Sequence, residues 1–311
     1  MNSRAIPRYH GRFAFLFLAV LIASISYAVG TSYTSPAKGR IVGTKVGLST
    51  GEGFDSCTAY VSNTLQAMWP STHYAYIGVY IGGITALKES SCNTPDRKYL
   101  SNVHSQGWDF LPIFDGKQAP CGEGYDYKFS ADPTDAFSQA RTEAAVEADN
   151  AAGALQKRGF IVKPGTIVYY DLENFNQEGA PNCKSATEAF INNWVRVLHE
   201  QYGVTAGLYG SANASHLAQF WGIANPPDDI WIGDAVMYGS GETPEKSVYK
   251  VNSSIPSTSW PNRRLRQYET ERIQTVNVSG TNVQITIDRD CAHGLVAGSG
   301  EKKEEPECSA K

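Results

Sequence analysis

Two carboxylates stand at the end of an apolar, β-branched and aromatic run that extends from Thr166 to Leu172. Asp171 and Glu173 are spaced i, i+2, and successive side chains of a strand alternate faces, so both point the same way, roughly 6–7 Å apart along the backbone. Two acids held side by side at the end of a buried strand repel each other and are partly desolvated, which drives their pKa values apart. One site then holds a proton donor and a charged partner, as cleavage of a glycosidic bond requires. The alternative is a strand end with two solvated acids in a loop.

Strand-like and helix-like segments alternate around this pair. The strand candidates lie at 53–57, 75–81, 108–114, 166–172, 205–209, 229–233, 264–268 and 283–288. Several are continuous apolar runs, as expected for strands that are covered on both faces. Of the predicted helices, the clearest are an Ala-rich one that opens at Asp132-Pro133 and stops near Gly159, and one that starts at Lys184 or Ser185.

This alternation predicts the α/β class and a (β/α)₈ TIM barrel. We expect the barrel to be irregular in its last quarter, because segments 235–263 and 269–282 lack good helical signals. A doubly wound open sheet is the runner-up, but no G-x-G-x-x-G motif follows the first strand.

Acidic residues recur at the ends of the predicted strands. They are Asp55, Asp115, Asp171, Glu173, Asp234, Asp288 and Asp290. Chemistry in such barrels lies at the C-terminal ends of the strands. Because the last strand neighbours the first, Asp288 and Asp55 should converge on the same mouth as Asp171 and Glu173. Four converging acids predict a functional site there.

The N-terminus has the pattern of a secretory signal peptide. Arg4, Arg8 and Arg12 precede an apolar run at 13–23, and small residues end at Ala28, where we expect cleavage. An uncleaved membrane anchor is the alternative. The predicted organisation is a signal peptide at 1–28, a linker at 29–46, the barrel at 47–297 and a disordered charged tail at 298–311.

Composition excludes several classes of partner and cofactor. The formal charge of -4 and the absence of a dominant Lys/Arg cluster argue against a nucleic-acid partner. The sequence has no G-x-S-x-G, H-E-x-x-H or Walker-type loop and no His/Cys spacing typical of zinc. We therefore expect neither a cofactor nor a metal, and no membrane contact beyond a possible N-terminal anchor.

Several short strings together carry a resemblance to a known family. They are Gly53-Phe54-Asp55-Ser56-Cys57, Val79-Tyr80-Ile81-Gly82-Gly83, Tyr169-Tyr170-Asp171-Leu172-Glu173, Gly207-Leu208-Tyr209, Asp229-Ile230-Trp231-Ile232, Arg266-Gln267-Tyr268 and Ile287-Asp288-Arg289-Asp290. From about Gly51 to Gly294 the chain resembles the secreted bacterial glycoside-hydrolase-like domain family of unknown function. More distantly it is similar to the family 25 lysozymes, which cleave peptidoglycan with a barrel that carries an Asp-x-Glu strand.

The resemblance implies roles for individual residues. Glu173 resembles the lysozymes' general acid, and Asp171 is similar to the carboxylate that stabilises positive charge or assists attack. Asp55 and Asp288 match acids that line the same mouth and complete the catalytic set. The expected substrate contacts are Tyr80, Tyr209 and Gln267. The long Ala-rich segment and the cysteines in the mouth loops depart from a family 25 lysozyme.

Export makes the six cysteines candidates for disulfides. In the implied barrel, four of them lie in loops at the mouth, and we expect the pairs Cys57–Cys92 and Cys121–Cys183. Cys291 and Cys308 would then bond to each other or to a partner. Cys57–Cys291 is an alternative, because the first and last strands are neighbours.

The leading hypothesis is a secreted or envelope-associated hydrolase whose partner is a polysaccharide, such as peptidoglycan or another envelope glycan. The alternatives are a barrel that binds glycan without cleaving it and a structural envelope protein. Both members of the Asp-x-Glu pair are present, which favours the hydrolase, because binding alone needs no proton donor with a raised pKa.

Overall fold

The computed structural model describes residues 46–298 and Cys308, with gaps at 89, 91, 163–164, 178–179, 213–215 and 252–254. The predicted signal peptide, nearly all of the predicted linker and most of the predicted tail lie outside the described residues. None of the described helices is both long and apolar enough to cross a membrane.

Nine strands form one sheet that closes on itself. They are β1 (Val46–Ser49), β2 (Glu52–Asp55), β3 (Tyr76–Gly82), β4 (Asp109–Phe114), β5 (Ile167–Asp171), β6 (Thr205–Ser211), β7 (Asp229–Met237), β8 (Arg264–Val278) and β9 (Thr281–Ala297). Strands β2 to β8 pair with their neighbours in parallel, and β9 pairs with both β8 and β2. The predicted barrel is therefore confirmed, and the doubly wound open sheet is wrong.

Helices cover the outside of the barrel. They are α1 (Ser62–Ser71), α2 (Ile84–Lys88), α3 (Arg97–Ser105), α4 (Ser138–Arg158) and α5 (Cys183–Val197). A π-helical turn at Leu198–Tyr202 continues α5, and a 3₁₀ turn at Leu217–Gly222 follows β6.

Helix α4 begins later than the sequence indicated. The Asp132 side chain accepts hydrogen bonds from the backbone N–H and the hydroxyl of Thr134, which makes a local turn instead of a helix cap. Asp135, Ala136 and Phe137 then have positive φ angles. The helix therefore starts at Ser138, and it ends at Gly159, whose φ of 95° provides the left-handed C-cap that glycine favours.

The irregular last quarter of the barrel is a hairpin. Strand β8 turns directly into β9 at Ser279-Gly280, so β9 runs antiparallel to both of its barrel neighbours. From residue 272 to 287 these strands pair with each other beyond the barrel and form a ribbon. The hydroxyl of Tyr60 holds the ribbon by donating to the Thr286 carbonyl and accepting from the Thr286 N–H. The predicted strand at 283–288 thus lies mostly in the ribbon.

Large rings fill the barrel interior opposite glycines. A Cβ on Gly53 would lie 2.3 Å from the Tyr76 ring, and a Cβ on Gly207 would lie 2.4 Å from the Tyr169 ring. Trp231 packs edge-on against Tyr169, with ring centroids 6.4 Å apart. These rings are almost fully buried and close the barrel beneath its mouth.

Candidate active site

Asp171 and Glu173 come together at the C-terminal mouth because β5 alternates its side chains between the barrel interior and the outer helices. Tyr169, Asp171 and Glu173 face inward, whereas Tyr170 packs edge-on against Trp194 of α5. Asp171 is buried and Glu173 is half-buried. The hydroxyl of Tyr80, on β3, lies 3.5 Å from Asp171 Oδ2 and donates to it.

The pair is held by Gln118, which sequence reasoning missed. The Gln118 Oε1 atom accepts from the Glu173 backbone N–H at 2.9 Å, and Nε2 donates to the Asp171 carbonyl at 2.9 Å. Nε2 also donates to Asp115 Oδ1 at 3.0 Å, so Asp115 helps to hold the Gln118 side chain in place. Gln118 is 1% exposed and lies in an irregular loop after β4. No motif in the sequence marks it.

A second set of hydrogen bonds links Asp55 to the mouth. Gln267 Nε2 donates to Asp55 Oδ2 at 2.8 Å, and the Tyr209 hydroxyl donates to Gln267 Oε1 at 3.1 Å. The candidate substrate contacts Tyr209 and Gln267 are thus bonded to each other. Tyr80 contacts Asp171 instead.

Asp288 lies at the mouth, but not at the C-terminal end of a strand. The sequence suggested that it closes the last strand, whereas it lies where antiparallel β9 enters the barrel, opposite Asp55 in the β2–β9 register. Its Oδ1 atom accepts from the Glu271 backbone N–H at 2.7 Å.

Two other acids of the sequence pattern take different positions. Asp290 is fully buried, and its Oδ1 atom accepts from Trp231 Nε1 at 2.9 Å. The i, i+2 spacing from Asp288 is the sequence signal that puts Asp290 on the same inner face. Asp234 instead forms an ion pair with Arg266, with 2.9 Å between the guanidinium Nη2 and Oδ2.

Burial raises the pKa of both acids of the Asp-x-Glu pair. For Asp171 the pKa is well above its ordinary value because of burial, reinforced by the charges of Glu173, Asp115 and Asp55. For Glu173 burial raises the pKa against the opposing effect of the Asn174 backbone N–H.

Glu173 opens onto a pocket of about 210 Å³ between the ends of β5, β6, β7 and β8. Its lining consists of Glu173, Asn174, Tyr209, Ser211, Gly233, Ala235 and Gln267. Glu173 is therefore the member of the pair that a bound molecule would meet, and Asp171 lies deeper on the same face. Among the residues that the structure describes, no group of three or more His, Cys, Asp or Glu side chains could hold a metal ion.

All six cysteines are bonded, and two of the bridges support the loops of the mouth. The pairs are Cys57–Cys92, Cys121–Cys183 and Cys291–Cys308. Cys57 bonds to Cys92, not to Cys291. Cys308, in the predicted tail, is buried, and its carbonyl accepts from the Val248 N–H at 3.2 Å.

Solved structures with similar folds are distant in sequence. An uncharacterised protein from B. stearothermophilus shares 16% identity at a TM-score of 0.48, covering 78% of this chain and 95% of that one. The Tat-secreted protein Rv2525c of Mycobacterium tuberculosis shares 12% identity at a TM-score of 0.45, covering 78% and 96%. A family 25 glycosyl hydrolase from Bacillus anthracis shares 14% identity at a TM-score of 0.40, covering 78% and 88%.

No curated protein sequence matches the chain. A family model does match, and it spans residues 66–292, which is most of the barrel from α1 to β9. That span contains the Asp-x-Glu pair, Gln118, the pocket-lining residues and the hairpin that closes the barrel. The chain belongs to the Rv2525c-like glycoside hydrolase-like domain family.

Proposed function

We propose that this protein is a secreted glycosidase that cleaves an envelope glycan such as peptidoglycan by carboxylate acid/base chemistry. The observation that carries the proposal is the position of Glu173. It lines the pocket, its pKa is raised by burial, and a second carboxyl, Asp171, lies behind it on the same strand face. A carboxyl of this kind can hold a proton near neutral pH and still reach a substrate.

In the proposed reaction, Glu173 donates its proton to the glycosidic oxygen as the bond from that oxygen to the anomeric carbon breaks. Water supplies the hydroxyl that ends on the anomeric carbon, and its remaining proton restores the acid. Asp171, which accepts a hydrogen bond from Tyr80, provides negative charge in its ionised form as the sugar ring becomes positively charged. Asp55 and Asp288 complete the acidic mouth, and Tyr209 and Gln267 are the proposed contacts to the glycan.

Location outside the cytoplasm is part of the proposal. Three disulfides in one domain are typical of proteins that fold in an oxidising compartment. The basic and apolar N-terminal pattern supports export, and an envelope polysaccharide is the substrate class that such a protein would meet.

The test is release of soluble reducing ends from purified peptidoglycan by the disulfide-bonded protein. We expect Glu173→Gln to lower release at least about 100-fold, because the amide cannot donate the required proton. The matched control is Glu242→Gln, which changes an exposed acid in the loop after β7 and should leave release unchanged. Equal release by wild type and Glu173→Gln would overturn the assignment of the acid.

One observation favours a second candidate function, glycan binding without cleavage. Asp171, the more deeply buried acid of the pair, has a raised pKa and does not line the pocket. A proton held on Asp171 therefore does not contact a substrate in the pocket directly. We would conclude that the protein binds glycan without cleaving it if neither the wild type nor Glu173→Gln releases reducing ends and both sediment with insoluble peptidoglycan.

A further inference from the structure

A second carboxyl pair lies beneath the pocket, inside the barrel. Asp55 on β2 and Asp290 on β9 are on adjacent antiparallel strands, where Gly53 is the register partner of Asp290 and Asp288 that of Asp55. Both side chains face the interior, with exposures of 3% and 0%.

The side chains that donate hydrogen bonds to Asp55 and Asp290 are neutral. Gln267 Nε2 donates to Asp55 Oδ2 at 2.8 Å, and Trp231 Nε1 donates to Asp290 Oδ1 at 2.9 Å. The charges that act on Asp55 are those of Asp290 and Asp288, and both are negative. No cation among the described residues is bonded to either carboxyl. Two adjacent buried carboxyls of this kind do not both ionise, so the pair keeps one proton.

A proton on Asp55 satisfies the pair, because Asp290 Oδ2 is buried and has no hydrogen-bond partner among the described residues. Burial and then the charge of Asp290 raise the pKa of Asp55, and burial also raises the pKa of Asp290. With this proton, one oxygen of Asp55 can donate to Asp290, while Oδ2 accepts from Gln267. Asp290 remains the acceptor for Trp231.

This arrangement determines how the Gln267 amide is oriented. Because its NH₂ group is committed to Asp55, its Oε1 atom faces Tyr209 and must accept from the Tyr209 hydroxyl, at 3.1 Å. The Tyr209 hydroxyl proton is therefore engaged in the hydrogen bond to Gln267 and is not available to a ligand. The lone pairs of the Tyr209 oxygen are left for donors in the pocket that Tyr209 lines.

We propose that Asp55 is a positioning residue: as the neutral member of the Asp55–Asp290 pair it orients Gln267, and through it Tyr209, so that the pocket presents an oxygen acceptor to hydroxyl or amide N–H donors of the glycan. This inference rests on the proposed function for the identity of the ligand. It differs from the role that resemblance implied, in which Asp55 is a charged member of the catalytic set.

The protonation of Asp55 is tested without any glycan. In protein labelled with ¹³C at aspartate carboxyls, the resonance that disappears in Asp55→Asn belongs to Asp55. We expect it at the position of a neutral acid at about pH 7, against the usual aspartate pKa near 4. A carboxylate position at that pH would overturn the proposal.

The positioning role is tested by comparing Asp55→Asn with Asp55→Ala. Asparagine keeps both hydrogen bonds, because its carbonyl accepts from Gln267 and its NH₂ donates to Asp290, whereas alanine keeps neither. We expect Asp55→Ala to raise KM for soluble peptidoglycan fragments about tenfold, the effect of one hydrogen bond, and Asp55→Asn to stay within about threefold of wild type. Tyr209→Phe should match Asp55→Ala in KM.

Two results separate this inference from the proposed function. If Asp55→Asn keeps the wild-type melting temperature but loses turnover as fully as Glu173→Gln, a charged Asp55 is required and the positioning role is wrong. If the wild type neither cleaves nor binds glycan, the proposed function fails. The side-chain ¹⁵N resonances of Gln267 then test the orienting role of Asp55 without glycan. Unchanged resonances in Asp55→Asn and shifted ones in Asp55→Ala support the orienting role, and equal shifts in both overturn it.

Discussion

The side-chain carbonyl of Gln118 accepts the backbone N–H of Glu173 at 2.9 Å, while its NH₂ group donates to the carbonyl of Asp171. One amide thus bridges the backbone on both sides of Leu172. It fixes the strand end from which both acids project, because the β4–β5 pairing ends at Tyr170, whereas the Leu172 N–H still donates to the Tyr209 carbonyl of β6.

Gln118→Ala should therefore destabilise the protein and mobilise the acid pair. It leaves a buried N–H and buried carbonyl and carboxyl oxygens without this partner, and we expect a loss of about 2–4 kcal/mol in the free energy of unfolding. Urea denaturation measures it. Gln284→Ala, at an exposed position of the β9 ribbon, should stay within about 0.5 kcal/mol of wild type. Similar losses in both variants would refute the bridging role.

Stability should fall as pH rises. Burial raises the pKa of Asp55, Asp171 and Glu173, so each binds its proton more tightly when folded. Their stabilisation is complete below the unfolded pKa of about 4 and is lost as pH rises through the native pKa. His199, whose pKa is raised by its hydrogen bond to an aspartate, acts in the same direction. His216, whose pKa is lowered by burial, opposes it below about pH 6.5.

Melting temperatures from about pH 5 to about pH 8 check this expectation. We expect the highest melting temperature at the acidic end and a shallower slope in Asp171→Asn, which removes one of the titrating groups. A melting temperature that increases with pH, or an unchanged slope in that variant, would contradict the assignment of these pKa directions.

The disulfides should differ in their contribution to stability. The Cys121–Cys183 bridge closes a separation of 62 residues, and the Cys291–Cys308 bridge closes 17. Chain entropy predicts losses of about 4 and about 3 kcal/mol when each pair is replaced by serine. Urea denaturation of the two double variants measures the order. A larger loss for the shorter loop would show that contacts of the C-terminal segment outweigh loop entropy.

Two glycine-to-alanine changes should have opposite effects. A Cβ on Gly207 would lie 2.4 Å from the buried Tyr169 ring, so Gly207→Ala should cost about 3 kcal/mol through overpacking. Gly153 lies on the exposed side of α4 with no atom within 4 Å of its would-be Cβ. Gly153→Ala should stabilise the protein by about 0.5–1 kcal/mol. Thermal unfolding distinguishes the two, and a neutral Gly207→Ala would mean that the ring can move aside.

Features that follow local rules could be predicted from the sequence. The two-residue period of a strand puts Asp171 and Glu173 on one face, and continuous apolar runs indicate strands that are covered on both sides. Alternation of strands with helices indicates the barrel, and Gly159 marks the end of α4. Where a local signal had two interpretations, prediction was weaker, and Asp132 makes a turn instead of the predicted helix cap.

By itself, the sequence determined which side chains alternate inward at the strand ends, because that period is local. Only the tertiary structure decided which of them meet. The antiparallel course of β9 brings Asp290 against Asp55, and an irregular loop places Gln118 beneath Glu173. Both relationships depend on the register between segments far apart in the chain. The same holds for the pKa directions, because burial and the neighbouring charges arise only when the barrel closes.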